Sequence, residues 1–554
     1  MRRNVHLTPR DQKSPQTFRR PTMTLTQTTW QSLAPYHSYP VFQLLQKTAE
    51  RLPNKVAIID GEKKVTYSQL NAYSDRLGAA LISMGIKKGA HVGILSPNCI
   101  EFEVAYYGVA KAGAVATTIN PGYREMEIAH QLNVSGAELL IVHESLLQTA
   151  VSARGETPEL KRLVVIEEGS DNAESFWSLI EHAPDQIPEI PINAEEDLAI
   201  LPFSSGTTGL PKGVMLTHQS IAANLRQFFD RKDDAVMRPD DVIVLHLPLF
   251  HMYGNFLMHG AVRAGATQVL MDRFDMEQFL TLLSKYRGTH LYTVPPVALG
   301  ITQYPDVDRF DLSSIRAAVL AAAPMSGDLQ RQLSSSLGTK VIQVYGMTEL
   351  SPVANSDFFD DSLLRPGTVG PAVADTEEKI VDLETGTREV ASGEAGELWV
   401  RGPQVMKGYF ENAEATAETI THDGWMRTGD IVKMDSDGYV TILDRKKELI
   451  KYKGFQVAPA ELEGLLLNHP GILDAAVIGK PDAEAGEVPK AFVVARGDVE
   501  VSAESVMDFV ADRVATFKRI REVEFIDAIP KNPSGKILRR LLIEQEREKY
   551  GEPR

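Results

Sequence analysis

A short run rich in glycine and hydroxyl side chains is the part of the sequence best suited to hold phosphate. Residues 201–213 have the sequence LPFSSGTTGLPKG, which is too polar and too flexible for a protein core. Glycine lets backbone N–H groups approach a ligand, hydroxyl groups add donors, and Lys212 adds a positive charge. The loop is not a Walker A loop, because Gly213 follows the lysine where that motif has Ser or Thr.

The residues on either side of this loop predict how it is held. The apolar residues 198–201 predict a short buried strand, and a helix is predicted to begin at His218. Strand, glycine-rich loop and helix together predict a phosphate-binding arrangement at a helix N-terminus. An ordinary Gly/Ser/Thr loop is the alternative when this segment is taken alone.

Four further segments combine residue types that act on a nucleotide or an acid. They are QVYGMTE at 343–349, GWMRTGD at 424–430, DRKKELIKYKG at 444–454 and NPSGK at 532–536. The first offers an aromatic ring, a hydroxyl group and a carboxylate, and the second ends in an acid. The third is dense in cations, and the fourth places one lysine on a turn near the C-terminus.

In this order and at these separations, the five segments resemble the superfamily of AMP-forming acyl-CoA synthetases, luciferases and adenylation domains. Residues 451–463, KYKGFQVAPAELE, are most similar to 4-coumarate–CoA ligases and bacterial fatty acyl-CoA ligases. The resemblance extends from Tyr39 to Leu542. It implies condensation of a carboxylic acid with the α-phosphate of ATP, followed by transfer of the acyl group to a thiol.

The resemblance also implies which residues bind the nucleotide. Tyr345 is expected to stack on adenine, Asp430 and Arg445 to contact the ribose, and Glu349 to hold Mg²⁺. Taken singly, Tyr345 could be a core tyrosine and Asp430 a turn-capping acid. The implied ATP- and AMP-binding residues are Ser204, Ser205, Gly206, Thr207, Thr208, Gly209, Lys212, Ala323, Gln343, Tyr345, Gly346, Thr348, Asp430 and Arg445.

Three residues match catalytic positions of the family: Lys536, Lys451 and His251. Lys536 would bridge the carboxylate and α-phosphate oxygens, and Lys451 would be presented for the second half-reaction. The family changes between the two by rotating its C-terminal domain, and Lys447 matches the hinge. The positions matching the CoA path are Arg273, Lys453 and Gly454. The ordinary alternatives are a solvated lysine at 536 and a solvated basic helix face at 446–453.

The acid pocket is implied by PLFHMYG at 248–254 and by residues near the adenine segments. A lone histidine among apolar residues could otherwise be a core side chain. Ala321 and Val344 replace glycines common in the family, and the added methyl groups predict a narrowed wall that favours a slender aliphatic acid. The implied pocket residues are His251, Tyr253, Val294, Ala321, Ala322, Val344, Met347 and Val353.

The expected function is therefore an acid–CoA ligase that uses ATP, Mg²⁺ and CoA on a small-molecule carboxylic acid, with a medium- or long-chain fatty acid favoured. An aryl, 4-coumarate-type CoA ligase is the alternative within the family. A carrier-loading adenylation module is disfavoured, since residues 250–252 contain no acid to hold an α-amine. A luciferase-like oxygenase shares the same motifs.

Composition limits the other possibilities. A chain of 554 residues with 43% hydrophobic and 24% charged residues predicts two or more globular domains. The net charge of −16 argues against nucleic-acid partners and a polybasic membrane anchor. Cys99 is the only cysteine, so an internal disulfide is excluded and a cytoplasmic location is expected. Lys111 interrupts the longest apolar run, so no membrane span is predicted. No oligomeric state is predicted.

The alternation of helical and strand patterns predicts an α/β fold. Residues 35–444 are predicted to form a large N-terminal domain of layered α/β subdomains with a β-rich subdomain at 367–444. Residues 445–554 are predicted to form a small mobile α/β lid. Residues 1–34, rich in arginine, are expected to be a disordered extension, with a targeting peptide as the alternative.

Overall fold

The structure is a computed structural model that describes residues 30–167, 169, 173–184, 186–204, 211–231, 236–323, 325–446, 448–452, 455–482, 485–497, 501–514, 516–532 and 535–550. The helices are α1 Phe42–Arg51, α2 Tyr67–Ser83, α3 Ile100–Lys111, α4 Glu125–Ser135, α5 Leu147–Arg154, α6 Phe176–Glu181, α7 His218–Phe229, α8 Met252–Ala264, α9 Met276–Tyr286, α10 Pro295–Thr302, α11 Gly327–Leu337, α12 Ala413–Thr419, α13 Pro459–Leu466, α14 Ala503–Ala511 and α15 Arg539–Tyr550.

The strands in the first part of the chain are β1 Val56–Asp60, β2 Lys63–Thr66, β3 His91–Leu95, β4 Val115–Ile119, β5 Leu139–His143, β6 Arg162–Ile166, β7 Glu174–Ser175, β8 Leu198–Ile200, β9 Phe203–Ser204, β10 Lys212–Thr217, β11 Val242–Leu245, β12 Thr267–Leu270 and β13 His290–Thr293. The remaining strands are β14 Ala317–Leu320, β15 Val341–Gly346, β16 Val353–Ser356, β17 Glu377–Val381, β18 Ala395–Arg401, β19 Gly408–Tyr409, β20 Met426–Met434, β21 Val440–Arg445, β22 Ile450–Tyr452, β23 Phe455–Val457, β24 Ile472–Asp482, β25 Gly486–Ala495 and β26 Glu522–Phe525.

Two large, mainly parallel sheets form the body of the protein. One has the strand order β16–β15–β14–β13–β11–β12–β1–β2, with the antiparallel pairs at its ends. The other has the order β19–β10–β8–β4–β3–β5–β6–β7, with β9 paired to β10. Parallel strands joined by helices require helices on both faces, and the α/β fold predicted from the sequence is confirmed.

Helices fill the space between the two sheets. One apolar core joins both sheets to α1, α2, α3, α7 and α8, whereas α9 and α11 pack on the outer face of the first sheet and α4 and α5 on the second. All twelve residues of α3 are buried, including Lys111. The Lys111 ammonium donates to Asp75 Oδ1 at 2.7 Å and to Ser74 Oγ at 2.8 Å. These partners offset the cost of burying its charge.

Two smaller sheets follow in the chain. Strands β17–β18–β20–β21 form an antiparallel sheet, as predicted for the β-rich segment. After its last residue, Arg445, the next sheet begins at Ile450 and has the order β23–β22–β25–β24, with β26 beside β25. Helices α13 and α14 share a separate core with it. The division into domains at residues 444–445, with a mobile lid beyond it, stays a prediction.

Local patterns in the sequence correspond closely to elements of the structure. Thr66 Oγ1 accepts a hydrogen bond from Gln69 N, and the Gln69 side chain accepts one from Thr66 N, so a capping box fixes the start of α2. Strand β11 stops at Leu245. Asn98 Nδ2 donates to the carbonyl oxygens of Leu245 and Leu247, so a side chain replaces the neighbouring strand there.

Candidate active site

The glycine-rich loop connects two antiparallel strands. Ser204 at the end of β9 pairs with Lys212 at the start of β10, and residues 205–210 between them lie outside the described residues. The predicted strand at 198–201 and the helix that begins at His218 are present, as β8 and α7. The sequence did not predict β10, which lies between the loop and α7 and pairs with β8. The loop is thus held by a hairpin and not by a helix N-terminus.

Glu349 lies beside Ser204, the last residue of β9 in this hairpin. Its buried carboxylate sits in the short 3₁₀ turn Thr348–Leu350 and accepts hydrogen bonds at Oε1 from Ser204 Oγ, at 2.8 Å, and from Tyr409 OH, at 2.9 Å. Lys212 Nζ lies 5.1 Å from the centre of the Tyr409 ring, a cation–π distance. Burial and the Glu349 charge raise the pKa of Tyr409, so this hydroxyl stays a donor.

Three residues of the predicted nucleotide site meet at the middle of β20. Tyr345 OH donates to Asp430 Oδ2 at 2.5 Å, and Arg445 Nε lies 3.2 Å from Asp430 Oδ1. Asp430 and Arg445 are direct partners across β20 and β21, which explains their approach despite their separation in sequence. Burial and the adjacent Asp430 charge raise the pKa of Tyr345 well above its usual value.

Lys536 is brought to this corner by a closed turn. Asn532 N donates to Lys536 O at 2.9 Å, and Lys536 N donates to Asn532 Oδ1 at 2.8 Å. Burial and the positive charge of Arg445 lower the pKa of Lys536 to about 8, while the Glu448 and Asp430 charges act in the opposite direction. Lys536 therefore belongs to a cluster of cations and carboxylates, and is not a solvated surface lysine.

The turn that carries Lys536 also touches the predicted acid pocket. Gly535 has a φ of +79°, and a Cβ at that position would lie 3.3 Å from Val294 Cγ2. Val294 directly precedes α10, at the end of β13. A larger side chain at 535 would push the turn away from this wall.

His251 caps the N-terminus of α8. Its Nδ1 accepts from Tyr253 N at 3.2 Å. Burial, and then the positive charge of Lys536, lower the pKa of His251 to about 4, so the imidazole is neutral near pH 7. Since Nδ1 is an acceptor, the proton of the neutral ring is on Nε2, which can donate to an anion but cannot act as a base.

The remaining pocket candidates lie at neighbouring strand ends. Tyr253 OH points at the Val319 carbonyl oxygen, 3.3 Å away, near the end of β14. Ala321 and Ala322 follow β14, and Ala322 has a left-handed φ of +72°, which is uncommon for a residue with a side chain. Val344 and Val353 are buried on β15 and β16, two strands that pair in the same sheet, where Val344 lies opposite Ser356 and Val353 opposite Gly346. The carboxyl ends of adjacent parallel strands are where α/β sheets bind ligands.

Several predicted residues lie elsewhere or serve the framework. Met347 packs against the core of the β17–β21 sheet, away from the cluster of Val344 and Val353. The Gln343 amide is held by Met325 N and O, at 2.9 Å each. The other ATP-site candidates with a described position are Ala323 after β14, Gly346 at the end of β15 and Thr348 in the 3₁₀ turn.

The residues implied for the second half-reaction are not gathered at this site. Lys451 is exposed on β22, where its backbone N–H donates to Glu487 Oε2 at 2.7 Å. Arg273 is exposed before α9. Lys447, Lys453 and Gly454 lie outside the described residues, as do Ser205, Gly206, Thr207, Thr208 and Gly209.

The sequence reasoning missed Tyr409, Glu448 and Arg539. Tyr409 is 60 residues from Glu349, and Arg539 is 91 residues from Glu448, its ion-pair partner. Tyr409 lies in the segment MKGYF at 406–410, in which a glycine beside an aromatic ring is the one available signal. The two charged residues had no distinguishing signal of their own.

These residues combine cations, a neutral N–H donor and carboxylates, a set that can bind anions. Lys536, Arg445 and Lys212 supply positive charge, and neutral His251 supplies an N–H donor. Preorganised donors and cations stabilise a transition state in which negatively charged groups approach each other. Carboxylates are present as well. They can accept hydrogen bonds from hydroxyl groups or hold a divalent cation.

Comparison with known proteins decides the family. Residues 45–410 match the family described as AMP-binding enzyme, and residues 461–536 match its C-terminal domain. The chain belongs to the AMP-binding enzyme family. The membership suggested by the five sequence segments is thus confirmed.

Relatives and solved structures similar to the chain extend over almost its whole length. It is 40% identical to 4-coumarate-CoA ligase 1 of Narcissus pseudonarcissus, over 92% of this chain and 93% of that protein. It is 40% identical to the 4-coumarate–CoA ligase of Pinus taeda, over 91% and 94%. The anthranilate CoA ligase AuaEII, solved with anthranoyl-AMP, has a TM-score of 0.87 at 29% identity, covering 93% of this chain and 98% of that one.

The expected enzyme class is confirmed: the protein is an AMP-forming acid–CoA ligase with ATP and CoA as substrates and Mg²⁺ as the metal. Glu349 fits a magnesium ligand, because it is a hard oxygen donor whose Oε2 accepts no hydrogen bond from the described residues. Among the described residues, no helix is long and apolar enough to cross a bilayer. The cytoplasmic location stays a prediction.

Proposed function

We propose that this enzyme activates a planar aryl acid of the 4-coumarate type and transfers it to CoA. The observation that carries the proposal is the 40% identity to 4-coumarate–CoA ligases over more than nine-tenths of the chain. Solved structures similar to the chain include the anthranilate ligase and a benzoate CoA ligase of Burkholderia xenovorans, and also a fatty acyl CoA synthetase of Mycobacterium tuberculosis. The proposal therefore depends on the sequence relatives.

The fatty-acid preference expected from the sequence rested on the methyl groups of Ala321 and Val344. The comparisons favour the aryl alternative instead. A flat ring needs less width than a bulky branched group in one direction, so a narrowed wall is compatible with it. Val344 is also buried against Ser356 across the β15–β16 pair, so part of its added volume lies within the sheet core.

In the first half-reaction, a carboxylate oxygen of the acid attacks the α-phosphorus of ATP, and the bond to pyrophosphate breaks. The products are acyl-AMP and pyrophosphate. Lys536 is proposed to bridge the carboxylate and α-phosphate oxygens, which cancels the repulsion between two anions. His251, neutral and protonated on Nε2, is proposed to donate to the acid end of the pocket, beside Tyr253.

The nucleotide is proposed to lie between the hairpin and the β20–β21 pair. Asp430 would accept bonds from the ribose hydroxyl groups, with Arg445 beside it and Tyr345 against the adenine ring. The loop after Ser204 and the Lys212 ammonium would contact the phosphates. Mg²⁺ held by Glu349 would neutralise phosphate charge and favour departure of pyrophosphate.

In the second half-reaction, the CoA thiol attacks the acyl carbon, the bond to AMP breaks and the thiol proton passes to solvent. Lys536 fills the space near the acid, so a thiol needs the C-terminal domain to move. We propose rotation at Lys447, which would withdraw Lys536 and present Lys451. Arg273, Lys453 and Gly454 are proposed to border the CoA path.

The test is pyrophosphate release with ATP and Mg²⁺ over cinnamic-type, benzoic, fatty and amino acids, each with and without CoA. We expect CoA-dependent turnover with kcat/KM about tenfold or more higher for a hydroxycinnamic acid than for a fatty acid. Higher kcat/KM for a fatty acid would contradict the aryl proposal and restore the aliphatic one. Pyrophosphate release without acyl-CoA would indicate a carrier protein or oxygen as the second reactant.

A further inference from the structure

A buried arginine lies three residues after Lys536, at the first position of α15. Arg539 Nη2 lies 2.5 Å from Glu463 Oε2, and Nε donates to Glu463 Oε1 at 3.2 Å. Its Nη1 donates to Glu448 Oε2. The guanidinium thus holds two carboxylates from different parts of the chain.

The two carboxylates join Arg539 to distinct elements. Glu463 lies in α13, and its Oε1 also accepts from Val477 N of β24 at 2.7 Å. Glu448 lies in the connection between β21 and β22, one residue beyond Lys447. Only 12% of the Arg539 side chain is exposed, and 16% and 9% of the two glutamates. Because buried charges are costly when unpaired, this arrangement is tightly specified.

The chain between Arg539 and Lys536 offers little freedom. The turn is closed by the bonds between Asn532 and Lys536, and Leu538 N donates to Pro530 O at 2.8 Å. Two residues separate the arginine from the lysine. The anchored arginine is therefore joined to Lys536 by a short segment that backbone hydrogen bonds hold in place.

We propose that Arg539 is a positioning residue for Lys536: it anchors the lysine turn to α13 and holds the Glu448 carboxylate so that Glu448 does not capture the Lys536 ammonium. The proposal rests on the proposed role of Lys536 in adenylation. Arg539 itself touches neither the acid nor the nucleotide in this scheme.

The electrostatic surroundings give the proposal a specific signature. The charged or titratable groups facing Lys536 are Arg445, Glu448, Asp430, Arg539 and His251. Arg539 lowers the pKa of Lys536, whereas Glu448 raises it. Loss of the arginine removes one lowering charge and frees one raising charge, so both effects act in the same direction.

The decisive variant is Arg539→Met, compared in the full-length enzyme with Arg540→Met. Arg540 is the next residue and its side chain is 74% exposed; among the described residues its one ion pair is a long contact of 3.6 Å to Glu544. For Arg539→Met we expect adenylation, measured as pyrophosphate release without CoA, to fall about tenfold to a hundredfold, the effect of a small misplacement. Thiolation of supplied acyl-AMP should change less than about threefold. Arg540→Met should leave both unchanged.

The pH profile separates this role from a merely structural one. In Arg539→Met, the alkaline limb of adenylation should move upward by about half a pH unit or more, and in Glu448→Gln it should move downward. The double variant Arg539→Met, Glu448→Gln should recover part of the adenylation rate, since the competing carboxylate is gone. If Arg539→Met does not fold, the direction of the Glu448→Gln shift decides.

Equal loss of both half-reactions, an unmoved alkaline limb in Glu448→Gln, or no recovery in the double variant would overturn the inference. Lys536→Ala distinguishes it from the proposed function. Normal pyrophosphate release by Lys536→Ala would contradict the assigned role of the lysine. An inactive Lys536→Ala together with an Arg539→Met that behaves like Arg540→Met would overturn the positioning role alone.

Discussion

At the scale of single residues, the site depends on side chains whose charge state is set by burial. Lys536 and His251 both become easier to deprotonate, with pKa values lowered to about 8 and about 4. The lysine remains mainly cationic at pH 7, while the histidine is neutral. One group therefore supplies charge, and the other supplies an N–H donor that stays uncharged even well below pH 7.

The first prediction concerns Lys536. Because adenylation requires the ammonium form of Lys536, kcat/KM for ATP in pyrophosphate release should fall as the pH rises through about 8. A Lys536→Ala variant should lose adenylation and still thiolate supplied acyl-AMP. The matched control is Lys531→Ala. Lys531 lies in the same segment, and its ammonium pairs with Asp474 at 2.6 Å. An adenylation rate that stays constant from pH 7 to 10 would rule out the ammonium role.

At the scale of elements, α8 connects the pocket to the core. It begins immediately after His251, and its third residue, Gly254, lies against the preceding loop. A Cβ on Gly254 would come within 2.2 Å of the Pro248 carbonyl oxygen. Backbone cannot yield as a flexible side chain can, so glycine is required for the close approach of this helix.

The second prediction follows from that contact. Gly254→Ala should lower the melting temperature, with a loss of about 1–3 kcal/mol in the free energy of unfolding. It should also raise KM for the acid several-fold, because α8 must shift and carry His251 with it. Gly464→Ala is the matched control, since this α13 glycine has nothing within 4 Å of a Cβ. It should stabilise the protein by about 0.5–1 kcal/mol. Similar melting curves for the two variants would contradict the packing argument.

At the scale of the whole molecule, two carboxyl groups are buried in the framework. Glu103 of α3 and Glu378 of β17 are each bonded to one amide, Gln268 and Asn355, and each has an oxygen without a hydrogen-bond partner among the described residues. Burial raises the pKa of both to about 8. The folded protein therefore keeps two protons that the unfolded chain, with an ordinary glutamate pKa, releases above about pH 4.5.

The third prediction is a pH dependence of stability. A raised carboxyl pKa stabilises the fold most at low pH, and this contribution is lost as the pH rises toward 8. Between pH 6.5 and 8.0 the loss should be about 1.5 kcal/mol for each carboxyl group. The fall in melting temperature over this interval should be smaller in Glu103→Gln and Glu378→Gln. Replacing an exposed carboxylate, as in Glu144→Gln, should leave the fall unchanged.

The sequence predicted best what depends on local periodicity. The buried strand β8 follows from the apolar run at 198–201, and the helix predicted to begin at His218 is α7. The β9–β10 hairpin was missed because residues 212–217 contain a short strand directly before a strong helix signal, and tertiary pairing with β8 decides their conformation.

The site was predicted through ordered motifs, and its internal contacts were not. Asp430 and Arg445 were assigned together, and strand register explains their contact. Tyr409 on Glu349 and Arg539 on Glu448 were beyond sequence reasoning, because the fold brings together segments that are far apart in the chain. The spacing of residues in a single sequence does not predict these long-range contacts.

The contact between Gly535 and Val294 has a consequence for the order of events. The segment bearing Lys536, the lysine proposed to act in adenylation, would form part of the boundary of the proposed acid pocket. We therefore expect an ordered addition, in which acid and nucleotide are captured while the lid is open and become committed once it closes. In such a cycle, the time that an acid stays bound helps to determine whether it is converted, in addition to its equilibrium affinity. Acids that dissociate slowly therefore have an advantage that an equilibrium binding measurement would not reveal.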